Sequence, residues 1–252
     1  MHTLVAFLMG DRVGTRILEA IVRSSKQPIF LVASRQTPEF ERHVKAASGI
    51  VQVVSEINEK PDWSLIRSSL PVAQSLRGLS WFPHIFPPAI LECFSGGILN
   101  IHNSYLPFNR GRHSTFWAIH DETPCGATIH WVDTGVDSGR IVERIMLENV
   151  GFANADMIYD QQLDACINLG VKYAPLLLDE IDLGIDQDPG VATHHYAKEI
   201  EFATSLPSEG LTTWNEVVKL LRATATTKGY LKICYPNDVT LKVSGKVVED
   251  FL

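Results

Sequence analysis

Along the first half of the chain, unbroken apolar runs of strand length alternate with stretches whose apolar residues recur at helical spacing. Thr3 to Met9 (TLVAFLM) is the first such run, and GTRILEAIVRS then places Ile17, Leu18, Ile21 and Val22 on one helical face. Pro28 to Ser34 (PIFLVAS) predicts a second buried strand. TPEFERHVKAA predicts a helix entered through Thr37-Pro38, and IVQVVS a third strand. Val72 to Leu76 is expected as a fourth strand, FPPAILECF as a short helix and GGILNIHN as a further strand. Strands apolar on both faces and separated by helices imply an α/β fold: an open, mostly parallel sheet covered on both sides.

The pattern then changes. Gly126 to Val132 and Arg140 to Leu147 predict two strands around DTGVDSG, whose Gly and Asp content marks a tight loop. A long helix is expected from Ala155 to Leu183, followed by the connector GIDQDPG. After residue 190 come a polar stretch, a helix from Trp214 to Ala225, and YLKICYPNDVTLKV, two strands around a Pro-Asn-Asp turn. The expected division is a main domain over residues 1–190 and a small helix-plus-hairpin appendage over 191–252. An appendage of about 60 residues is too small for a large core of its own.

Composition narrows the function classes. Of 252 residues, 45% are hydrophobic and 20% charged, enough for a substantial core. A net charge of −7 argues against a nucleic-acid partner, because phosphate binding relies on Lys and Arg. MHTLVAFLMGDR lacks a basic leader and meets Gly10-Asp11 early, so it reads as a strand and not a signal peptide. No apolar run approaches membrane-spanning length, and membrane insertion is not expected. Cys93, Cys125, Cys166 and Cys234 form no paired motif and are expected as reduced thiols of a cytoplasmic protein. The histidines fall in no ligand spacing, so no metal is expected.

The candidate chemistry lies in LNIHNSYLPFNRGRH. Asn100 and His102 point to the same side of an extended chain and lie at the end of a strand, where open parallel sheets bind ligands. An imidazole exchanges protons near neutrality, and a carboxamide N–H can bind a developing oxyanion, an effect worth ~3 kcal/mol for one good donor. A carboxylate from DTGVDSG would orient the imidazole. Such a set suits attack on an acyl-type carbon, with the nucleophile supplied by a substrate. Taken singly, a histidine at a strand end and an aspartate in a glycine-rich loop are more often structural than catalytic.

NIHNSYLPFNRG resembles the Asn-x-His-x-Ser-x-Leu-Pro-x-x-x-Gly signature of the folate-dependent formyltransferases. GATIHWVDTGVDSGRIV resembles that family's second segment, and the resemblance runs from the first strand to about residue 180. It implies a Rossmann-like sheet and transfer of a formyl group from N10-formyltetrahydrofolate to an amine. By match, Asn100, His102 and Asp137 take the catalytic roles: Asn100 and protonated His102 on the oxyanion, Asp137 orienting His102 and helping a proton from the amine to the folate nitrogen. The matching segments imply pterin contacts from Trp81, Phe82, His84, Ile85 and Leu99 on one side, and from Asp133 and Gly135 of the loop on the other.

The acceptor is less directly implied. HNSYLPFNRG and the compact C-terminal extension look like the sugar N-formyltransferase branch, which acts on nucleotide-linked amino-dideoxysugars for O-antigen and lipopolysaccharide synthesis. The methionyl-tRNA branch carries a larger C-terminal barrel, the hydrolases an N-terminal regulatory domain, and the glycinamide ribonucleotide enzymes no such tail. The leading acceptor is dTDP-4-amino-4,6-dideoxyglucose, with GDP- or UDP-linked sugars, dTDP-3-amino sugars and the two other amine classes as alternatives. Tyr105, Asn109, Arg110 and Lys198 are the expected substrate contacts, Arg110 through its planar fork on phosphate. A homodimer is expected through the appendage. A nicotinamide enzyme is disfavoured because MGDRVGT lacks the GxGxxG turn. A silent sugar-nucleotide-binding protein is disfavoured because all three catalytic positions are filled.

Overall fold

The structure, a computed structural model, describes residues 2–148, 150–179, 183–196, 198–200, 205–207, 214–224, 231–234 and 240–243. It divides into two compact units. The first comprises Met1–His102, Ala127–Arg144 and Leu163–Gln187, and the second Asn103–Gly126, Ile145–Gln162 and Asp188–Leu252.

The first unit is built on a sheet of β1 (Thr3–Met9), β2 (Ile29–Ser34), β3 (Val51–Ile57), β4 (Leu76–Trp81), β5 (Ile98–His102), β7 (Gly126–Trp131) and β8 (Ile141–Met146). Their order is β3-β2-β1-β4-β5-β7-β8. All pairs from β3 through β5 are parallel, and β7 then runs antiparallel to β5. α1 (Arg12–Ser24) starts where Asp11 accepts a hydrogen bond from the Gly14 amide, satisfying one of the donors a helix start leaves open. α2 (Pro38–Ala46) is capped by Thr37 with Pro38 in the first turn, where a missing N–H costs nothing. α3 (Trp63–Ser69) and α4 (Pro88–Leu91) complete the helices of this part. An aromatic core fills one face: Phe7 packs edge-on against Phe86 at 4.9 Å between ring centroids, with Phe82, Phe94 and Trp63 around them.

Two element boundaries differ from the sequence reading. The fourth strand does not run from Val72 to Leu76; β4 begins at Leu76, and Val72 is fully exposed. Arg77 and Ser80 obscured it, because both are polar yet buried. Arg77 is accommodated by donating to the Gly96 and Asp179 carbonyls and by lying 5.6 Å over the Trp131 ring. The long helix expected to reach Leu183 is α6 (Ala155–Tyr173), which tightens into a 3-10 segment at Ala174–Leu178. Pro175 cannot donate to an α-helical ladder, which explains the change.

The second unit holds α5 (Ser114–His120), the first part of α6, α7 (Trp214–Thr224), and a short parallel pair of β6 (Arg110–Gly111) with β9 (His194–His195). Its core joins Phe116, Trp117, Ile119, Cys125, Ile158 and Ala223. β11 (Leu231–Cys234) pairs antiparallel with β12 (Thr240–Val243), and β10 (Ser205–Pro207) joins β11 in parallel. The hairpin strands and the α7 helix stand where the sequence reading expected them; the Pro-Asn-Asp turn itself lies outside the described residues. Among the described residues no helix is long and apolar enough to cross a membrane.

Candidate active site

The strands position the polar residues before any side-chain contact is considered. β4 and β5 are parallel neighbours, so their C-terminal ends, Trp81 and His102, emerge at one edge of the sheet. On β5, Asn100 and His102 are half-buried while Ile101 between them is buried, as the two-residue period requires. The antiparallel register with β7 sets His130 directly opposite Asn100 and Thr128 opposite His102.

Asp137 enters from the loop between β7 and β8, and the loop is braced from within. Asp133 Oδ1 accepts from the Gly135 amide at 3.0 Å and from the Ser138 hydroxyl at 2.8 Å, an Asx-type turn. A Cβ at Gly139 would run into the Trp131 carbonyl, so only glycine closes the loop there. The Gln187 side-chain amide donates to the carbonyls of Asp137 (2.8 Å) and Gly139 (2.7 Å). Asp137 itself adopts a left-handed backbone, φ 49°.

The result is a carboxylate between two imidazoles. Asp137 Oδ2 lies 3.6 Å from His102 Nε2, and its Oδ1 lies 3.6 Å from His130 Nε2. The two rings stand nearly perpendicular, 6.4 Å apart between centroids. Asn100 Nδ2 sits 3.2 Å from His130 Nε2, while His130 Nδ1 lies 2.9 Å from the Trp131 carbonyl. His130 is 2% exposed, His102 11% and Asp137 17%, so the set is shielded but open on the His102–Asp137 side. An imidazole beside a carboxylate can hold or release a proton, and an adjacent carboxamide can bind an oxyanion. Among the described residues no group of three or more His, Cys, Asp or Glu side chains has a geometry for a metal ion.

The remaining expected contacts separate into groups. Phe82 and His84 are half-buried with their rings in edge contact at 5.1 Å, and Ile85 is 70% exposed, all just past the end of β4. Trp81 is buried, with its indole N–H given to Asp11, and Leu99 is buried between Leu79 and Trp131 in the sheet. Both side chains are packed into the core. Asp133 and Gly135 act first as the loop's brace, though both are exposed.

In the second unit, Asn109 is 1% exposed, its amide N–H donating to the Thr123 hydroxyl and its carbonyl accepting from Thr193. Its backbone is left-handed at φ 55°, and its side chain is engaged by those two partners. Tyr105 and Arg110 are half-buried, and Lys198 is exposed. Arg110 pairs in register with His194, beside exposed Arg112, His113 and Tyr196.

Sequence reasoning missed His130 and Gln187. A histidine inside the apolar strand GATIHWV, facing the strand that bears Asn100, was the available signal for the first. Gln187 lay in a stretch read as a connector, and nothing in its neighbourhood pointed to a loop 50 residues earlier.

The Formyl transferase family model matches residues 10–156. Over 141 residues the chain is 31% identical to the GDP-perosamine N-formyltransferase of Brucella melitensis, covering 53% of this chain and 49% of that protein. The match thus spans about half the length of that curated relative. A 4-N formyltransferase from Francisella tularensis has the same fold, with a TM-score of 0.76 at 17% identity over 96% of both chains. A formyltransferase from Anoxybacillus kamchatkensis, solved in complex with UDP-4,6-dideoxy-4-formamido-L-AltNAc and tetrahydrofolate, gives a TM-score of 0.57 at 25% identity. It covers 76% of this chain and 97% of that one.

Proposed function

The chain belongs to the formyl transferase family, and from that premise we propose that it moves a formyl group from N10-formyltetrahydrofolate to the amine of a nucleotide-linked amino-dideoxysugar. The observation that carries the proposal is Asp137 held 3.6 Å from the two imidazoles, with Asn100 on one of them. The donor suits this set, because formyl transfer needs an oxyanion site and a proton carrier and no side-chain nucleophile. Exposed Ile85 with Phe82 and His84, one strand away from Asn100, offers the apolar surface a pterin would need.

In the proposed reaction the neutral sugar amine adds to the formyl carbon and the bond from that carbon to the folate nitrogen breaks. Asn100 donates to the oxygen that becomes negative, and protonated His102 supplies the second donor. Asp137 holds the His102 ring and assists the proton that leaves the amine for the departing nitrogen. Arg110 and Lys198 are assigned to the diphosphate, where a guanidinium can bind two oxygens at once.

For the acceptor, dTDP-4-amino-4,6-dideoxyglucose is the leading choice. The 4-formamido sugar named for the Anoxybacillus protein supports an amine at that carbon. A GDP-linked sugar is the second reading, favoured by the Brucella relative. The test is a formyl-transfer assay with N10-formyltetrahydrofolate and a panel of dTDP-, GDP- and UDP-linked amino sugars, glycinamide ribonucleotide and charged initiator tRNA. Turnover of a 4-amino nucleotide sugar is expected; turnover confined to the ribonucleotide or the tRNA would overturn the choice of acceptor.

A further inference from the structure

We propose that His130 is a positioning residue that fixes which end of the Asn100 carboxamide faces the reacting oxygen, an inference that rests on the formyl-transfer reading above. Its ring is 2% exposed and lies opposite Asn100 in the β5–β7 register, so no solvent competes for its nitrogens. Nδ1 lies 2.9 Å from the Trp131 carbonyl, which can only accept, so the proton of the neutral ring sits on Nδ1. Nε2 is then an acceptor, and at 3.2 Å it takes one N–H of Asn100 Nδ2. A carboxamide nitrogen carries two N–H bonds. With one given to His130, the other is the donor that the developing oxyanion requires.

The opposite tautomer would reverse this. A proton on Nε2 would call for the Asn100 oxygen, and the carboxamide would turn end for end. It would then present a carbonyl where negative charge builds up, converting a stabilising contact into a repulsive one. The Trp131 backbone carbonyl thus selects the ring's tautomer, and the tautomer selects the orientation of Asn100. Asp137 Oδ1, 3.6 Å from Nε2 and beyond hydrogen-bond reach, and the His102 ring at 6.4 Å complete the charged and titratable surroundings among the described contacts of this ring.

Two measurements test the assignment. Long-range proton–nitrogen spectra of histidine-labelled protein near pH 8 read the tautomer without any turnover. The expected result is a protonated Nδ1 and a bare Nε2 for His130, with the Nε2 resonance shifting in Asn100→Ala; an Nε2–H ring overturns the proposal. Kinetics supply the second reading. His130→Leu is expected to lower kcat by ~10- to 100-fold while both KM values stay within ~3-fold, since an oxyanion donor acts in the transition state. His130→Gln, whose Oε1 falls near the Nε2 position and can accept from Asn100, is expected to recover most of that loss. In an Asn100→Ala background, His130→Leu should add less than ~2-fold, because the group it positions is gone. An undiminished effect there, or a loss in Gln equal to that in Leu, overturns the positioning role. If the Leu variant fails to fold, the spectra and the Gln variant still decide. Absence of formyl transfer by the unaltered protein would overturn the functional reading and the catalytic half of this proposal; an Nε2–H ring in a protein that transfers formyl groups would overturn the whole proposal and leave the functional reading standing.

Discussion

Asp137 occupies a left-handed backbone conformation that costs a residue with a side chain on the order of 1 kcal/mol, and it is held there by Gln187 and the glycine-closed loop. A strained carboxylate aimed at two imidazoles makes sharp expectations at single positions. His102→Ala and Asp137→Ala are each expected to lower kcat by at least ~100-fold in steady-state formyl-transfer assays, and near-normal rates in either would remove its assigned role. The buried thiols give a second test. Burial pushes the Cys125 thiol up to about 12, the Gly126 backbone only partly offsetting it, and burial followed by the charge of Asp11 pushes Cys166 higher still. A thiol reacts as its thiolate, so peptide mapping after brief alkylation of the native protein at pH 8 should find both unmodified. Rapid labelling of either would contradict the packing described around them.

Between elements, β8 is tied to the end of α6 by one carboxylate. Burial pushes the Glu143 carboxyl up, but hydrogen bonds from Lys172 and Tyr173 and the charge of Lys172 outweigh it and hold the group below the ordinary carboxylate range. A depressed carboxyl contributes stability that is present above its unfolded value, near 4.3, and lost as pH falls through the folded value. Tyr173 has the opposite sign. Burial first, and then Glu143, pushes it up to about 12, so its contribution holds below about 10 and is lost as pH rises towards 12. Thermal melts across pH should therefore show Glu143→Gln losing its acid-limb dependence while keeping most of the alkaline limb, where burial is the larger cause. Elsewhere in the sheet, Phe7→Ala empties the centre of the aromatic cluster and is expected to cost about 3–5 kcal/mol in denaturant unfolding. The elements that the sequence revealed are those that wear their burial openly. β1 and β2 are apolar but for Thr3 and Ser34 at their ends, and β5 alternates from Leu99 to His102. β4 hid because Arg77 meets its partners at Gly96 and Asp179, distant in sequence, and Ser80 is buried with no hydrogen-bond partner among the described residues.

At the level of the molecule, the mostly parallel sheet was legible from local pattern, as was the placing of Asn100 and His102 on one side of a strand end, whereas the choice of Asp137 within its glycine-rich loop came from the resemblance to the formyltransferase segments. His130 was harder, since its role exists only once β7 is placed against β5. Gln187 was not legible at all. The homodimer expected from the C-terminal appendage is a proposal of the same scale, and sedimentation at micromolar protein should give twice the chain mass; a monomer there would overturn it. The two bonds from Gln187 to the Asp137 and Gly139 carbonyls also bear on how such a protein can be altered. A loop of different length moved into positions 133–139 would arrive without its clasp, and a change at 187 would loosen an acid that no motif connects to it. Grafting and directed evolution of this loop should therefore treat residues 133–139 and residue 187 as one heritable unit, to be exchanged together or left together.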